Sequence, residues 1–432
     1  MTGTAGRPSP LAAYAEWVAA CAEAGWHAGQ VAEQVSVHNA LGRVSAGAAR
    51  AHWASPRFDC AAMDGIAIAA GAAGGGLAGD RQVLLPDSAF TWVDTGDPMP
   101  AGADTVVERE RVELRADGAL VTGPVTRGQH VRASGEDFRA GDLLIPAGRR
   151  LRPADLSAAA AAGYAALAVA RQPLVAIIPT GDEIRPVGSV LGPGEFTDSN
   201  SVMLAARAAQ SGAAPVVTAV QPDDPDILAA AVREAALTAD LVLVIAGSSR
   251  GRGDCTAAVL EQVGSIAVQG VAVRPGHPVL LGHVKPARYG YVPPGGARAG
   301  RPAGAVPVIG VPGYPLAAAV IFELFAAPLL AQLQGSVVPD RARLQAVLDR
   351  DWASAPDVED WIPVALTAPD PGDPPGGLVL VASPSGGHGA GAISRLVRAD
   401  AWWPVPIGQG RFAAGDRIEV LPISCRPSIS HG

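Results

Sequence analysis

The period of the hydrophobic positions changes along this 432-residue chain. Leu11, Tyr14, Ala15 and Val18 recur at three- and four-residue spacing and predict a helix over Leu11–Cys21. Residues 50–138 hold short apolar runs cut by Gly and Pro, at Ile66–Ala70, Val83–Leu85, Thr105–Val107 and Leu120–Val121, and read as a β-rich unit. From 139 to 170 the pattern is helical again. Pro153 suits a first turn, Asp155 lies near the start, and Leu156–Ala170 reads as a buried helix.

Between 171 and 335, strands and helices alternate. Strands are expected at Leu174–Ile178, Pro215–Val220, Leu241–Ile245 and Val306–Val311. Helices are expected at Asn200–Gln210, Pro225–Ala236, Cys255–Val263 and Leu316–Leu333. That alternation predicts a parallel sheet covered on both faces. Residues 285–305 are Gly-, Pro- and Arg-rich and longer than the usual connection of ~4–6 residues, so they read as an insertion. Residues 336–432 are strand-like again, with runs at Leu344–Leu348, Trp361–Leu366, Leu378–Val381 and Ile418–Leu421, and suggest a small β-barrel or sandwich.

Composition then removes several functions. The net charge of −8 leaves no electrostatic footprint for nucleic acid. Cys21, Cys60, Cys255 and Cys425 form no CxxC pair, which predicts reduced thiols and a cytoplasmic protein. Met1–Pro10 has no apolar signal core, and Glu323, Pro328 and Gln332 interrupt the longest apolar stretch, so no membrane association is expected. Of 33 Lys and Arg residues only Lys285 is a lysine.

The chemistry should lie at the carboxyl ends of the parallel strands, where open α/β sheets bind ligands. Three such ends carry unusual residues: Pro179–Glu183, Ala246–Asp254 and Pro312–Pro315. In the second, Gly247, Gly251 and Gly253 let amides face an anion, Ser248 and Ser249 add hydroxyls, and Arg250 and Arg252 add charge. A following helix N-terminus points at the same place, which suits a phosphate. An ordinary βα loop is the competing explanation. Asp182, Glu183, Asp198, Asp223, Asp224 and Asp254 gather nearby, and carboxylates beside a phosphate suit Mg²⁺. Asp223 and Asp224 read more readily as a turn and helix cap, and Asp198 also fits a cap. The histidines lack metal-ligand spacing, and Trp402 and Trp403 read as packing residues.

Phe58–Gly65 resembles an F-D-x-S-A-M-D-G segment, and Asp94–Asp104 is similar to T-G-x-P-x-P-x-G-A-D. Gly135–Asp137, Pro179–Glu183, Thr197–Asn200, Asp223–Pro225 and Pro312–Pro315 follow in the same order. Together they resemble the MoeA-type molybdopterin molybdenumtransferase family, which includes the gephyrin E domain. The resemblance covers roughly residues 10–432 and implies an α/β multidomain fold. Residues 1–49 and 139–170 would form a helical linking domain and 50–138 an inserted β-rich domain. Residues 171–335 would be a central doubly wound molybdopterin-binding domain, and 336–432 a C-terminal β-barrel.

The family chemistry inserts molybdenum from molybdate into adenylylated molybdopterin and releases AMP, with Mg²⁺ assisting. Carried onto this sequence, Asp64, Thr95, Glu183, Asp254 and Arg274 take catalytic roles, with Glu183 and Asp254 on the metal. Gly247, Ser248, Ser249, Gly251, Asp223, Pro312 and Gly313 contact the cofactor. A homodimer and a molybdopterin adenylyltransferase partner are implied as well. The sequence departs from the family pattern around the oxyanion. Arg274 and His277 stand in the K-P-G-K-P segment, and Gly270 where lysine is common. Tyr314, Ala317 and Ala390 replace Asn, Ser and Ser, and Pro363 replaces an Arg. These losses motivate the alternative of a non-catalytic molybdopterin-binding or scaffold paralogue.

Overall fold

A computed structural model describes residues 6–29, 31–73, 82–245, 255–285, 304–336, 343–368, 380–385 and 391–423. The chain forms two compact units, one of residues 32–170 and one combining residues 1–31 with 171–432. The expected Ser/Gly loop (Gly247, Ser248, Ser249, Arg250, Gly251, Arg252, Asp254), Ala390 and most of the 285–305 insertion lie outside the described residues.

In the 32–170 unit, Gly65–Ile68 lies between Thr91–Val93 and Thr105–Glu108, antiparallel to both. A second three-stranded sheet sets Gly118–Thr122 between Gln82–Leu85 and Val112–Arg115. Ile66, Ile68, Leu85, Val107, Ala119 and Val121 share one buried cluster. The helix Pro153–Ala161 starts where Arg152 N–H and guanidinium both reach Asp155, which is only 5% exposed.

The expected helix over Leu156–Ala170 is corrected here. It ends at Ala161, and Ala166–Ala170 is a strand paired antiparallel with Ala32–Ser36. Gly163 breaks the helix with φ +102°, and the indole of Trp53 occupies the space where its side chain would be. Beyond it, buried Leu167 and Val169 are separated by a more exposed position, the two-residue period of a strand.

In the other unit, a six-stranded sheet has the order Ala214–Val217, Leu174–Pro179, Leu241–Ile245, Val306–Val311, Leu280–Val284, Gly264–Gln269. The first four strands are parallel, as expected. Two strands that the sequence reading did not place extend the sheet, and of these Leu280–Val284 runs antiparallel to both its neighbours. Close backbone approach makes that pairing possible: a side chain on Gly264 would sit 1.9 Å from the His283 carbonyl oxygen. The strand expected to reach Val220 stops at Val217.

Side chains alternate across this sheet and build two cores. Val175, Ile177, Leu243 and Ile309 face the helices Pro10–Glu23, Asn200–Gln210 and Pro315–Ile321. Ala176, Ile178, Val242 and Val308 face Pro225–Thr238 and Thr256–Val263. The first 31 residues thus pack with the α/β sheet, and Trp17 Nε1 donates to Gly282 O at 2.7 Å. The helix begun at Pro315 continues to Leu333 through a wide turn at Phe322–Ala326, just before Pro328, whose missing N–H would interrupt a regular ladder. That 19-residue helix is long and apolar enough to cross a membrane, and here 67% of it is buried within the protein.

The C-terminal segment closes into a barrel. Glu359–Thr367, Leu380–Pro384, Leu344–Leu348, Arg417–Pro422 and Ala401–Val405 follow in order, and the last pairs back to the first. Adjacent tryptophans serve different cores: Trp403 fills the barrel, while Trp402 joins Trp361 and the α/β core.

Candidate active site

The first strand end is built on a glycine. Thr180 ties the ends of two strands by donating its N–H at 3.1 Å and its hydroxyl at 2.9 Å to Ile245 O. Gly181 follows with φ +133°, and a side chain there would meet the Glu183 carboxylate at 3.0 Å. The turn thereby brings Glu183 back over the backbone. Across from it, Asp223 N–H donates to Asp182 Oδ1 at 3.2 Å. Burial raises the Asp223 carboxyl above the usual range, and the carboxylates of Asp182 and Glu183 add to this against the Asp182 hydrogen bond.

The structure therefore brings Asp182, Glu183 and Asp223 to one strand end. Asp224 instead caps the helix Pro225–Thr238, accepting from Asp226 N and Ile227 N. Asp198 is also a cap, accepting from Ser201 N at 3.0 Å and from the Ser201 hydroxyl. An all-oxygen, anionic donor set fits a hard divalent cation. Among the described residues no three His, Cys, Asp or Glu side chains come close enough to enclose a metal by themselves.

The third strand end is held by a residue the motif reading gave no role. Asn200 Nδ2 donates to Gly313 O at 2.7 Å and so fixes the turn of Pro312 and Gly313. Among the described residues, the buried Asn200 Oδ1 has no hydrogen-bond partner. Tyr314 is 65% exposed, and its ring lies against Gly391.

Arg274 is fixed by a carboxylate the sequence did not single out. Its Nε donates to Asp360 Oδ1 at 3.1 Å and its Nη2 to the other oxygen. Asp360 is 4% exposed and also accepts from Ser354 Oγ at 2.6 Å. The Lys-poor segment has its own geometry. Gly270 has φ +82°, unfavourable for a side chain, and the Arg7 guanidinium nitrogen lies 3.2 Å from where its Cβ would be. Burial, then Arg7, lowers the His277 pKa and favours the neutral ring. Ala317 is buried in the helix, and Pro363 lies buried in a barrel strand.

Asp64 and Thr95 meet in the 32–170 unit. Thr95 donates both its N–H and its hydroxyl to Asp64 Oδ1, each at 2.7 Å. These bonds, the hydroxyl first, hold the exposed Asp64 carboxyl below its usual range, and Arg109 adds to them.

Three family models match the chain. They are the MoeA N-terminal region (domains I and II) over residues 12–163, a probable molybdopterin binding domain over 176–332, and the MoeA C-terminal region (domain IV) over 345–423. Molybdopterin molybdenumtransferase 2 of Mycobacterium tuberculosis is 32% identical over 415 residues, covering 90% of this chain and 95% of that protein. The Haemophilus influenzae molybdopterin molybdenumtransferase is 31% identical over 65% of this chain and 67% of its own length. A crystal structure of the molybdopterin biosynthesis MoeA protein from Pyrococcus horikoshii superposes with TM-score 0.73 at 27% identity, covering 94% of this chain and 98% of that one. This chain belongs to the MoeA family.

Proposed function

We propose that this protein is a molybdopterin molybdenumtransferase of molybdenum cofactor biosynthesis. Its substrates are adenylylated molybdopterin and molybdate; AMP leaves and molybdenum remains on the dithiolene. The observation that carries this is the near full-length likeness to the Mycobacterium tuberculosis transferase, at 32% identity over 90% of the chain. The relatives' names give no support to a non-catalytic paralogue.

The residues divide the work. Gly247, Ser248, Ser249 and Gly251 receive the phosphate, since glycines and serines in that stretch of sequence suit an anion. Pro312 and Gly313, steadied by Asn200, line the adjoining strand end. Asp223, raised by burial and its acidic neighbours, accepts hydrogen bonds or shares a cation there. Glu183 and Asp254 would hold Mg²⁺, which would offset charge on the phosphoanhydride. Asp64, kept ionised by Thr95, serves as a fixed carboxylate toward the substrate. Arg274 contributes charge at the oxyanion.

We further propose a cytoplasmic homodimer that receives its substrate from a molybdopterin adenylyltransferase. The proposed division is a linking domain of residues 1–49 and 139–170, a β-rich domain of 50–138, an α/β domain of 171–335 and a barrel of 336–432, with residues 10–23 also in the α/β core. The test is AMP release by purified protein given adenylylated molybdopterin, molybdate and Mg²⁺. Release that depends on molybdate is expected; no release at any molybdate concentration overturns the proposal.

A further inference from the structure

Tyr314 has no role above, yet the fold presents it at the ligand edge of the α/β sheet. Pro179, Ile245 and Val311 stand in register across three parallel strands, so the three carboxyl ends leave the sheet at one level. Open parallel sheets bind ligands at such an edge. The turn after Pro179 carries Glu183, and the turn after Val311 carries Tyr314. Two strand spacings separate the two turns, about 10 Å. A phosphate-bearing molecule of nucleotide size spans that distance, with its charged part toward the acids and a ring toward Tyr314.

The residue is exposed, but its setting is rigid. Tyr314 leaves 65% of its surface in water, which forgoes the burial an aromatic ring would gain in a core. Its backbone is held from both sides. Asn200 Nδ2 donates to Gly313 O at 2.7 Å, and Ala318 N donates to Tyr314 O at 2.9 Å. Pro315 then opens the helix Pro315–Ile321. Gly391 lies against the ring, with 3.3 Å from an added Cβ to Tyr314 Cδ1 and 3.5 Å to Cε1. A tyrosine has only two side-chain torsions, so a ring in this setting loses little entropy when a ligand arrives.

We propose that Tyr314 is a further substrate-binding residue of this protein: its ring stacks on a flat nitrogen heterocycle of the substrate, the pterin or the adenine of adenylylated molybdopterin. Stacking of this kind accepts either ring, because each presents a π-face. The Asn of the family pattern offers no aromatic face at this position, so the contact belongs to chains with the Gly313-Tyr314-Pro315 turn. The proposal rests on the transferase function above.

The experiment measures AMP release against adenylylated molybdopterin at saturating molybdate, for wild type, Tyr314→Phe and Tyr314→Leu. Leu keeps apolar bulk against Gly391 and removes the aromatic face. Half-saturating substrate should rise roughly 10-fold in Tyr314→Leu, within the range of stacking between an aromatic side chain and a base. It should recover in Tyr314→Phe, and half-saturation by molybdate should stay in place. Calorimetric titration with molybdopterin alone and with AMP alone names the ring: the ligand whose affinity falls in Tyr314→Leu is the one stacked, and a fall for neither overturns the proposal. An unchanged substrate requirement in Tyr314→Leu overturns it too. So does an equal loss in both variants, or a loss shared with molybdate, which marks a structural role. If wild type itself releases no AMP, the transferase proposal fails separately. The two titrations then decide, and equal binding by wild type and Tyr314→Leu, or none by wild type, overturns the stacking.

Discussion

Thr95 donates twice to a single oxygen of Asp64, once from its backbone and once from its hydroxyl, both at 2.7 Å. Thirty residues of sequence separate two positions that act as one unit. The bonds favour the ionised carboxylate, so its pKa lies below the usual value. A depressed pKa means the favourable state is present at higher pH and is lost as pH falls through the folded value. Thr95→Val removes the hydroxyl and should move the acidic limb of the AMP-release profile to higher pH. A pH profile whose acidic limb stays in place contradicts the role of the pair.

Glu183→Gln removes charge from a turn that exists to bring this carboxylate over Gly181. AMP release should fall by roughly 10- to 100-fold, and part of the loss should return at high Mg²⁺. Asp254→Asn should behave alike. Full activity in both variants at low Mg²⁺ excludes the cation from this strand end.

Asp223 offers a stability test of the same cluster. Its carboxyl is raised by burial and by the acids facing it. For a raised group, stability is fully present below the unfolded pKa, about 3.9 for Asp, and is lost as pH rises through the folded value. Asp223→Asn should therefore raise the melting temperature at neutral pH and leave it unchanged well below that pKa. Mg²⁺ should stabilise wild type more than the variant at neutral pH. Thermal unfolding with and without Mg²⁺ reads both effects.

Gly264→Ala should be among the more damaging single changes, because its new carbon would sit 1.9 Å from the His283 carbonyl oxygen. The antiparallel pair must separate to admit it, at an expected cost of about 2 kcal/mol or more. Denaturant unfolding measures the loss; a midpoint equal to wild type shows that the strands can yield.

Trp17 tests the attachment of the first helix. Its ring is fully buried, and Nε1 bonds Gly282 O at 2.7 Å. Trp17→Phe should cost about 1–3 kcal/mol through the lost hydrogen bond, and Trp17→Ala about 3–5 kcal/mol through the cavity. A Trp17→Phe variant as stable as wild type in denaturant unfolding would remove the hydrogen bond from this account.

The sequence by itself determined where most elements lie. Leu241–Ile245, Val306–Val311 and Asn200–Gln210 are found with the bounds their hydrophobic runs and caps predict. Such runs carry a local signal, because period and capping act over a few residues. The ordered motifs also determined the family. Tertiary structure decided the rest. Leu280–Val284 is apolar enough for a strand, yet its antiparallel direction shows only in its pairing with Gly264–Gln269 and Val306–Val311. Ala166–Ala170 follows an alanine-rich helix, and only pairing with Ala32–Ser36 makes it a strand. At the site, Glu183 and Asp223 stood out as acids in strand-end turns. The partner of Arg274 did not, since Asp360 lies 86 residues away in sequence. Local pattern names the residues that carry charge; only the folded chain decides which charges meet, because ion pairing depends on distance in space rather than along the sequence.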